Sequence, residues 1–353
     1  SPDLSKNDKS KQQPSGGLTP DNTAAETHGT LITISESPIT PGVVWIGTDD
    51  GNVQLTRNGG ESWENLTMNI PDVPSELWVS RIIASHADEG TAFLTIDGHR
   101  SDNFQPWVFK TSDYGRSWTN IGRSLPDGHA LYVIKQDPKN PDLLFVGSEF
   151  EVFASVDAGN TWFSILKNMP NVAFHDLVIH PRDSDLIAAT HGRALWIMDD
   201  ISPLQQFTEE VRQSESYLFE NKPALQWRNV SRGFGNWRGD FFFRGENPPS
   251  GANIHYYLKS EPRDEILLEI SDITGRLKHT AAISPEPGIN RYNWNMRFDP
   301  PRLTPEQIAE LQQAGRGRGG RGGRGGRGGG RGGRGFGRGR GGQQAGPGAY
   351  LVK

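Results

Sequence analysis

The chain has 353 residues, no cysteine and a formal net charge of −5, but residues 315–342 hold nine arginines and no acid, leaving 28 basic against 42 acidic residues elsewhere. Without cysteine there can be no disulfide framework, thiol nucleophile or thiolate metal site. The acidic remainder is ill suited to nucleic-acid backbones, and no apolar run approaches the ~18 residues of a membrane span.

The chain opens on Ser1-Pro2-Asp3-Leu4-Ser5, which matches the tails Ile70-Pro71-Asp72, Leu125-Pro126-Asp127 and Met169-Pro170-Asn171 found later. It is therefore expected to begin inside a repeat, with further units upstream. Four short inner strands are predicted at 31–34, 80–84, 131–135 and 176–179. A second strand follows each of them, at 43–48, 91–95, 143–148 and 186–190. Their β-branched and aromatic content fits strands.

A third strand then runs into an eight-residue turn that occurs three times. The copies are Thr56-Arg57-Asn58-Gly59-Gly60-Glu61-Ser62-Trp63, Thr111-Ser112-Asp113-Tyr114-Gly115-Arg116-Ser117-Trp118 and Ser155-Val156-Asp157-Ala158-Gly159-Asn160-Thr161-Trp162. The Asp or Asn (Asn58, Asp113, Asp157) is expected to accept from backbone N–H groups just after it, as in an Asx-turn. The glycine is expected at positive φ. The tryptophan (Trp63, Trp118, Trp162) should start the returning strand and pack under the turn. The copies lie 55 and 44 residues apart, the longer gap holding an insertion around 98–105. In the fourth unit, Leu195-Trp196-Ile197-Met198 stands where a third strand is due and no such turn follows.

A period near 45 residues with four strands per unit is the pattern of a β-propeller. The turns resemble the Asp-box, or BNR repeat, of sialidases and of sortilin/VPS10-type propellers. Phrases such as Trp45-Ile46-Gly47-Thr48-Asp49-Asp50-Gly51 and Thr190-His191-Gly192-Arg193-Ala194-Leu195-Trp196-Ile197 resemble bacterial exported BNR-repeat proteins often labelled glycosyl hydrolases. The resemblance implies a propeller fold and a secreted or periplasmic location. It leaves a sorting-receptor role in doubt, because such receptors follow the propeller with a cysteine-rich module.

Beyond 204 the repeats end. Residues 205–240 are expected as an irregular linker containing Trp227, Arg228, Arg232, Trp237 and Arg238. Strands are predicted at 255–258, 266–270 and 288–294, with a turn at Asp272-Ile273-Thr274-Gly275 that leads into a further strand before 288, and a last strand near 349–352. This order, within 241–353, resembles the immunoglobulin-like sandwiches at the ends of secreted bacterial proteins. Thr304-Pro305-Glu306-Gln307 should start a short helix, with Thr as N-cap and Pro at its first position. The Arg-Gly tract 315–342 that follows cannot bury a core and is expected to be disordered. The fold class is thus all-β: a partial Asp-box propeller of about four blades, then an immunoglobulin-like sandwich interrupted by the tract.

The turns should sit at the propeller rim in a structural role, so chemistry is expected at the opposite edge. There the loops between second and third strands supply Asp49, Asp50, Asp97, His99, Arg100, Asp102, Glu149, His191 and Arg193. The starts of the inner strands supply Glu26, His28, Arg81, Tyr132, His175 and Asp176. A sialidase-type site needs an arginine cluster for a substrate carboxylate, a tyrosine nucleophile with its carboxylate base, and an acid. Arg81, Arg100, Arg193, Tyr132, Glu149 and Asp50 have those types, though loops of this kind are polar by default. His99, His175 and His191 lack metal-motif spacing, so neither a metal nor a cofactor is expected. The leading expectation is non-catalytic binding of a protein or glycan on this loop face. A sialidase-like glycoside hydrolase is the alternative, and RNA binding through the Arg-Gly tract, with Arg stacking on bases, a further one.

Overall fold

A computed structural model describes residues 2–12, 28–165, 168–226, 250–300 and 342–353. The predicted helix from Thr304, Glu26, the Trp227–Arg238 stretch and all but the last residue of the Arg-Gly tract lie outside the described residues. Two compact units are present, residues 1–213 and 214–353.

The first unit is built from consecutive antiparallel meanders. β1 (Leu31–Glu36), β2 (Val44–Thr48), β3 (Val53–Thr56) and β4 (Glu64–Asn65) form the first sheet in chain order. β5 (Trp78–Ala84), β6 (Ala92–Gly98), β7 (Asn103–Thr111) and β8 (Thr119–Asn120) form the second. The third contains β9 (Leu131–Gln136), β10 (Leu144–Ser148), β11 (Val152–Ser155) and β12 (Phe163–Ser164). β13 (Phe174–Ile179), β14 (Leu186–Thr190) and β15 (Leu195–Met198) make a fourth sheet of three strands. The unit is thus all-β and propeller-type, each meander being one blade. The expected insertion near 98–105 lengthens the β6–β7 hairpin, with Gly98 paired to Asn103 and a 3-10 turn over His99–Ser101 at its tip.

Each apolar core is shared by two successive sheets. Trp45, Val53 and Leu55 of the first sheet pack with Val79 and Ile82 of the second. Phe93 and Val108 of the second pack with Leu131 and Ile134 of the third. Phe145, Val152 and Ala154 of the third pack with Phe174 and Leu177 of the fourth. Trp45, Phe93 and Phe145 occupy one register on the second strand, each opposite the next-to-last residue of its inner strand. Next along are Gly47 and Gly147, where the following sheet comes closest. A Cβ on Gly47 would lie 2.2 Å from Val79, and one on Gly147 would lie 2.7 Å from Val133 and 2.8 Å from the Phe174 carbonyl.

The three repeated turns share one hydrogen-bond pattern. The first hydroxyl donates to the Asp or Asn side chain at 2.8 Å in every copy. That hydroxyl also accepts from the N–H of Gly60, Gly115 or Gly159. The Asx oxygen accepts from the N–H four residues on, at Ser62, Ser117 or Thr161. Asx acceptance thus reaches further along the chain than a simple Asx-turn. Both the glycine and the residue before it have positive φ: Gly59 and Gly60, Tyr114 and Gly115, Ala158 and Gly159. Each tryptophan lies one residue ahead of the fourth strand. Trp118 is buried and meets Trp45 edge-on at 6.0 Å. Trp162 is half-buried and donates its indole N–H to the Ile121 carbonyl at 2.7 Å.

After β15 the chain turns into two short helices, α1 (Ser202–Gln205) and α2 (Glu209–Gln213). Ile201 and Leu204 enter the core shared by the third and fourth sheets. These helices, of which α2 lies within the stretch expected to be irregular, follow the fourth sheet where a repeated turn and fourth strand stand in the others.

In the second unit β16 (Ser216–Leu218) pairs with β17 (Ala252–Leu258), which pairs with β20 (Gly288–Trp294). β18 (Leu267–Asp272) lies between β19 (Lys278–Ala282) and β21 (Tyr350–Val352). Ile254 and Trp294 of one sheet share a core with Leu268 and Ile270 of the other, so the unit is a small sandwich. The Asp272 turn forms as predicted: its carboxylate accepts from Arg276 and Leu277, and Gly275 has positive φ.

Two substitutions test this account by urea denaturation. Trp118→Ala, which removes a buried ring from the junction of the first two sheets, is expected to cost about 3–5 kcal/mol. Gly147→Ala, which forces a Cβ into Val133 and Phe174, is expected to cost about 1–3 kcal/mol. A loss under about 0.5 kcal/mol in either case would remove that contact from the packing argument.

Candidate functional site

The loop edge opposite the repeated turns gathers side chains from three sheets. The β6–β7 hairpin tip is braced by Asp97, which is buried. Its carboxylate accepts the His99 backbone N–H at 3.0 Å and lies 2.7 Å from His99 Nδ1. Arg100 reaches to 3.9 Å from the same carboxylate and lays its guanidinium 3.7 Å over the Trp78 ring, a cation–π contact.

From His99 a ladder of rings runs across the unit. His99 meets Tyr132 edge-on at 5.8 Å. Tyr132 stacks on His175 at 4.4 Å and 25°. His175 lies 5.2 Å from His191. Tyr132 and His175 are the second residues of β9 and β13, so equivalent register places successive rings at one depth. Below the ladder Arg81 donates to Asp176 at 3.1 Å and to the His175 carbonyl at 3.3 Å, while its Nε is buried without a partner. One Glu149 carboxylate oxygen is likewise buried without a partner.

Two rungs have shifted titrations, Tyr132 being half-buried and His175 the more exposed of the two. Desolvation, helped by the Asp97 and Glu149 carboxylates, pushes the Tyr132 phenol well above its ordinary range, against the opposing pull of Arg100. Desolvation also lowers His175 below its ordinary value; His191, His99 and Arg100 add to this and Asp97 opposes it. At neutral pH the Tyr132–His175 stack is therefore uncharged, and the two nearest arginines each face a carboxylate.

Of the predicted site residues, Arg81, His99, Arg100, Tyr132, His175 and His191 are brought together. Glu149 lies close enough to act on the Tyr132 phenol. Asp49 and Asp50 hold loop backbone instead: Asp49 accepts from Gly29 and Thr30 at 2.9 and 2.7 Å, and Asp50 from Lys6 at 2.7 Å. Burial raises the Asp49 carboxyl above its ordinary value, against these N–H bonds. Arg193 is exposed on the turn after β14, where its N–H donates to Thr190 Oγ1. Among the described residues no contact joins it to the ladder. Trp78 was missed by sequence reasoning. It was readable only as an aromatic at the start of an inner strand, and its use as the bed for Arg100 depends on the longer hairpin. A cavity of about 330 Å³ opens beside it, lined by His28, Glu76, Leu77, Trp78, Ser101 and Asn103 among others. His28 is buried there; its Nδ1 makes no hydrogen bond and lies 4.0 Å from the Asp49 carboxylate. Among the described residues no group of three or more His, Asp or Glu is placed to hold a metal ion. No helix among them is long and apolar enough to cross a membrane.

Fold and site together define an all-β, propeller-type protein carrying a ring ladder on one loop edge. No protein-family model and no curated protein matches the chain. Solved structures similar to it include YCF48 bound to D1 peptide, at 17% identity and TM-score 0.36 over 49% of this chain and 52% of that one. A GH74 xyloglucanase from Xanthomonas campestris is similar at 15% identity and TM-score 0.40 over 72% of this chain and 38% of the other. The extracellular domain of a one-component system from B. thetaiotaomicron is similar at 12% identity and TM-score 0.38, over 51% and 22%. The chain thus spans about half or less of each neighbour.

The lowered His175 makes stability depend on pH. Unfolded, this histidine takes up a proton near 6.5, whereas folded it resists until lower pH. Stability is thus fully present above that value and is lost as pH falls from about 6.5 through the folded pKa. His86 is lowered as well, chiefly by burial, and contributes with the same sign. The isolating comparison is therefore wild type against His175→Phe. Melting temperatures from pH 8 to 5 should fall less steeply in the variant; parallel curves would mean that the stack does not resist protonation.

Proposed function

We propose that this chain is a non-catalytic binding protein of the exported BNR-repeat, sortilin-like kind, taking a protein or glycan ligand on the ring-ladder edge. The observation that carries the reading is the His99–Tyr132–His175–His191 ladder, whose two central rungs start neighbouring inner strands at one depth and whose outer rungs sit on loops. Flat ring faces bordered by hydrogen-bonding groups suit a sugar ring or an aromatic or apolar peptide side chain. The Ser/Thr-x-Asp-x-Gly-x-Ser/Thr-Trp turns support treating the sheets as Asp-box blades, and the small sandwich is compatible with an immunoglobulin-like module. A secreted or periplasmic site of action follows from that resemblance.

The geometry favours binding over sialidase-like hydrolysis. A tyrosine nucleophile must lose its proton to a base, yet the surroundings of Tyr132 hold the phenol protonated. Arg81 is committed to Asp176, and Arg100 to Asp97 and Trp78, so the arginines do not converge on an open position for a substrate carboxylate. The Arg-Gly tract contributes no observation in favour of RNA.

The test is a glycan array and a displayed-peptide panel, run beside an assay for released reducing sugar. Tyr132→Ala and His175→Ala are expected to reduce retention of the selected ligand at least tenfold, while Tyr132→Phe, which keeps the ring, binds nearly as wild type. Sugar release that disappears in Tyr132→Phe or Glu149→Gln would overturn the binding reading in favour of a hydrolase.

A further inference from the structure

The cavity beside Trp78 has walls that the ring ladder does not use. His28, ahead of β1, forms one side; Ser75, Glu76 and Leu77, ahead of β5, form another; Ser101 and Asn103 come from the β6–β7 hairpin tip. The 3-10 turn His99–Ser101 thus carries a ladder rung at its start and a cavity wall at its end. Between the two, Arg100 lies on the Trp78 ring. Cavity and ladder therefore adjoin along one loop edge.

The walls are held from behind. The Leu77 carbonyl oxygen and Glu76 Cα lie 2.9 and 3.1 Å from where a Cβ on Gly51 would stand. Glu76 itself has a φ of +85°, a backbone that a side-chain-bearing residue keeps only where its surroundings hold it. Asn103 Oδ1 accepts from the Gln105 N–H and the Trp107 indole N–H, both at 3.1 Å, so its amide NH₂ is the part left for a ligand. His28 is 6% exposed, and its Nδ1 is sealed 4.0 Å from the Asp49 carboxylate. That carboxylate favours the proton on Nδ1, which leaves Nε2 as the acceptor. The charged lining residues, Lys11 and Glu76, pair with each other, so an ionic ligand group finds no unmatched charge on the walls.

We propose that this cavity is the terminal subsite of the ladder edge and takes one neutral sugar residue at the end of an oligosaccharide. The inference rests on the binding reading above and narrows it from protein or glycan to a neutral glycan. Sugar hydroxyls both donate and accept, and so match the Asn103 amide, the His28 acceptor and the Ser75 and Ser101 hydroxyls. The C–H face of the sugar meets the apolar surface of Pro74, Leu77 and Trp78. An apolar or aromatic peptide side chain would cover the same polar groups without pairing them, which is costly. At about 330 Å³ the cavity stands near the lower end of ligand pockets, roughly 300–1,000 Å³, and so suits the end of a chain rather than a whole oligosaccharide.

Titration calorimetry of the full chain tests this, with a panel of neutral trisaccharides and hexasaccharides, uronic-acid hexasaccharides and aromatic-rich peptides. A neutral hexasaccharide is expected to bind more tightly than the trisaccharide of the same sugar. Ser75→Tyr fills the cavity from an exposed loop position. It should raise the hexasaccharide dissociation constant at least tenfold and abolish the preference for length, with an unchanged circular dichroism spectrum. Ser101→Trp, also at an exposed position, fills the cavity from the hairpin side and should do the same. His175→Ala should weaken trisaccharide and hexasaccharide alike. Hexasaccharide binding that His175→Ala weakens but both cavity variants leave unchanged overturns the subsite and leaves the ladder reading standing. Binding lost in both cavity variants and kept in His175→Ala supports the subsite and removes the ladder from the binding reading. Tighter binding of the peptides or uronic-acid oligosaccharides overturns the neutral-sugar class, and no binding of any panel member overturns both readings.

Discussion

The first unit depends on one repeated contact: an aromatic side chain at a fixed place on the second strand of a sheet, seated on the inner strand of the next. Trp45, Phe93 and Phe145 fill that place and are all but completely buried. A meander of four short strands cannot stabilise itself alone, because one face of each sheet would stay wet. Stacking removes that face from water once per junction, at roughly 25 cal/mol per Å² of apolar surface. The glycines beside Trp45 and Phe145 let the next sheet come close enough for the ring to make full contact. A side chain at Gly47 or Gly147 would hold the sheets apart and weaken every contact on that face.

The division of labour between the two edges follows from this packing. At one edge the repeated turn fixes its own backbone through a hydroxyl and an Asx side chain. It is also tied to the preceding loop by N–H bonds from Gly59, Tyr114 and Ala158 to the carbonyls of Gly42, Gly90 and Asp142. Its polar groups are thereby used internally. The opposite edge has no such repeating device. Its loops vary in length and residue type, and the longest, at His99, carries the first rung of the ladder. A conserved geometry beneath variable loops is the arrangement in which binding sites commonly form on rigid scaffolds.

Much of this was legible in the sequence because repetition makes register visible. Aligning the three turns puts the strands of the first unit in order and sets Tyr132 and His175 at one depth. Contacts across sheets were less legible. Nothing in a linear pattern shows that Arg100 lies on Trp78 or that Asp97 braces a histidine two residues away, because both depend on how far the β6–β7 hairpin extends. Asp49 and Asp50 illustrate the opposite difficulty. Acidic residues after a second strand look available for chemistry, but their oxygens are taken by the N–H groups of Gly29, Thr30 and Lys6. In the second unit, β19 is legible only as the strand that must follow the Asp272 turn, since Lys278–Ala282 is short and polar, and β16 lies within a stretch that reads as irregular.

Charge balance sets the character of the ladder edge. Five of its groups could carry positive charge, but desolvation disfavours charge on His175, and Arg81 and Arg100 each have a carboxylate beside them. Tyr132 stays protonated for the same reason that His175 stays deprotonated: each avoids charge in a partly dry site. The edge thus has paired charges at its borders and a Tyr132–His175 stack at its centre that resists charge. On the proposed binding reading, a ligand would be recognised at contact, through ring faces and a few directional donors and acceptors. Such recognition depends on spacing between rungs more than on any single side chain. That spacing is set by the distance between neighbouring inner strands, so the aromatic junctions that hold the sheets together also determine what the loop edge can bind.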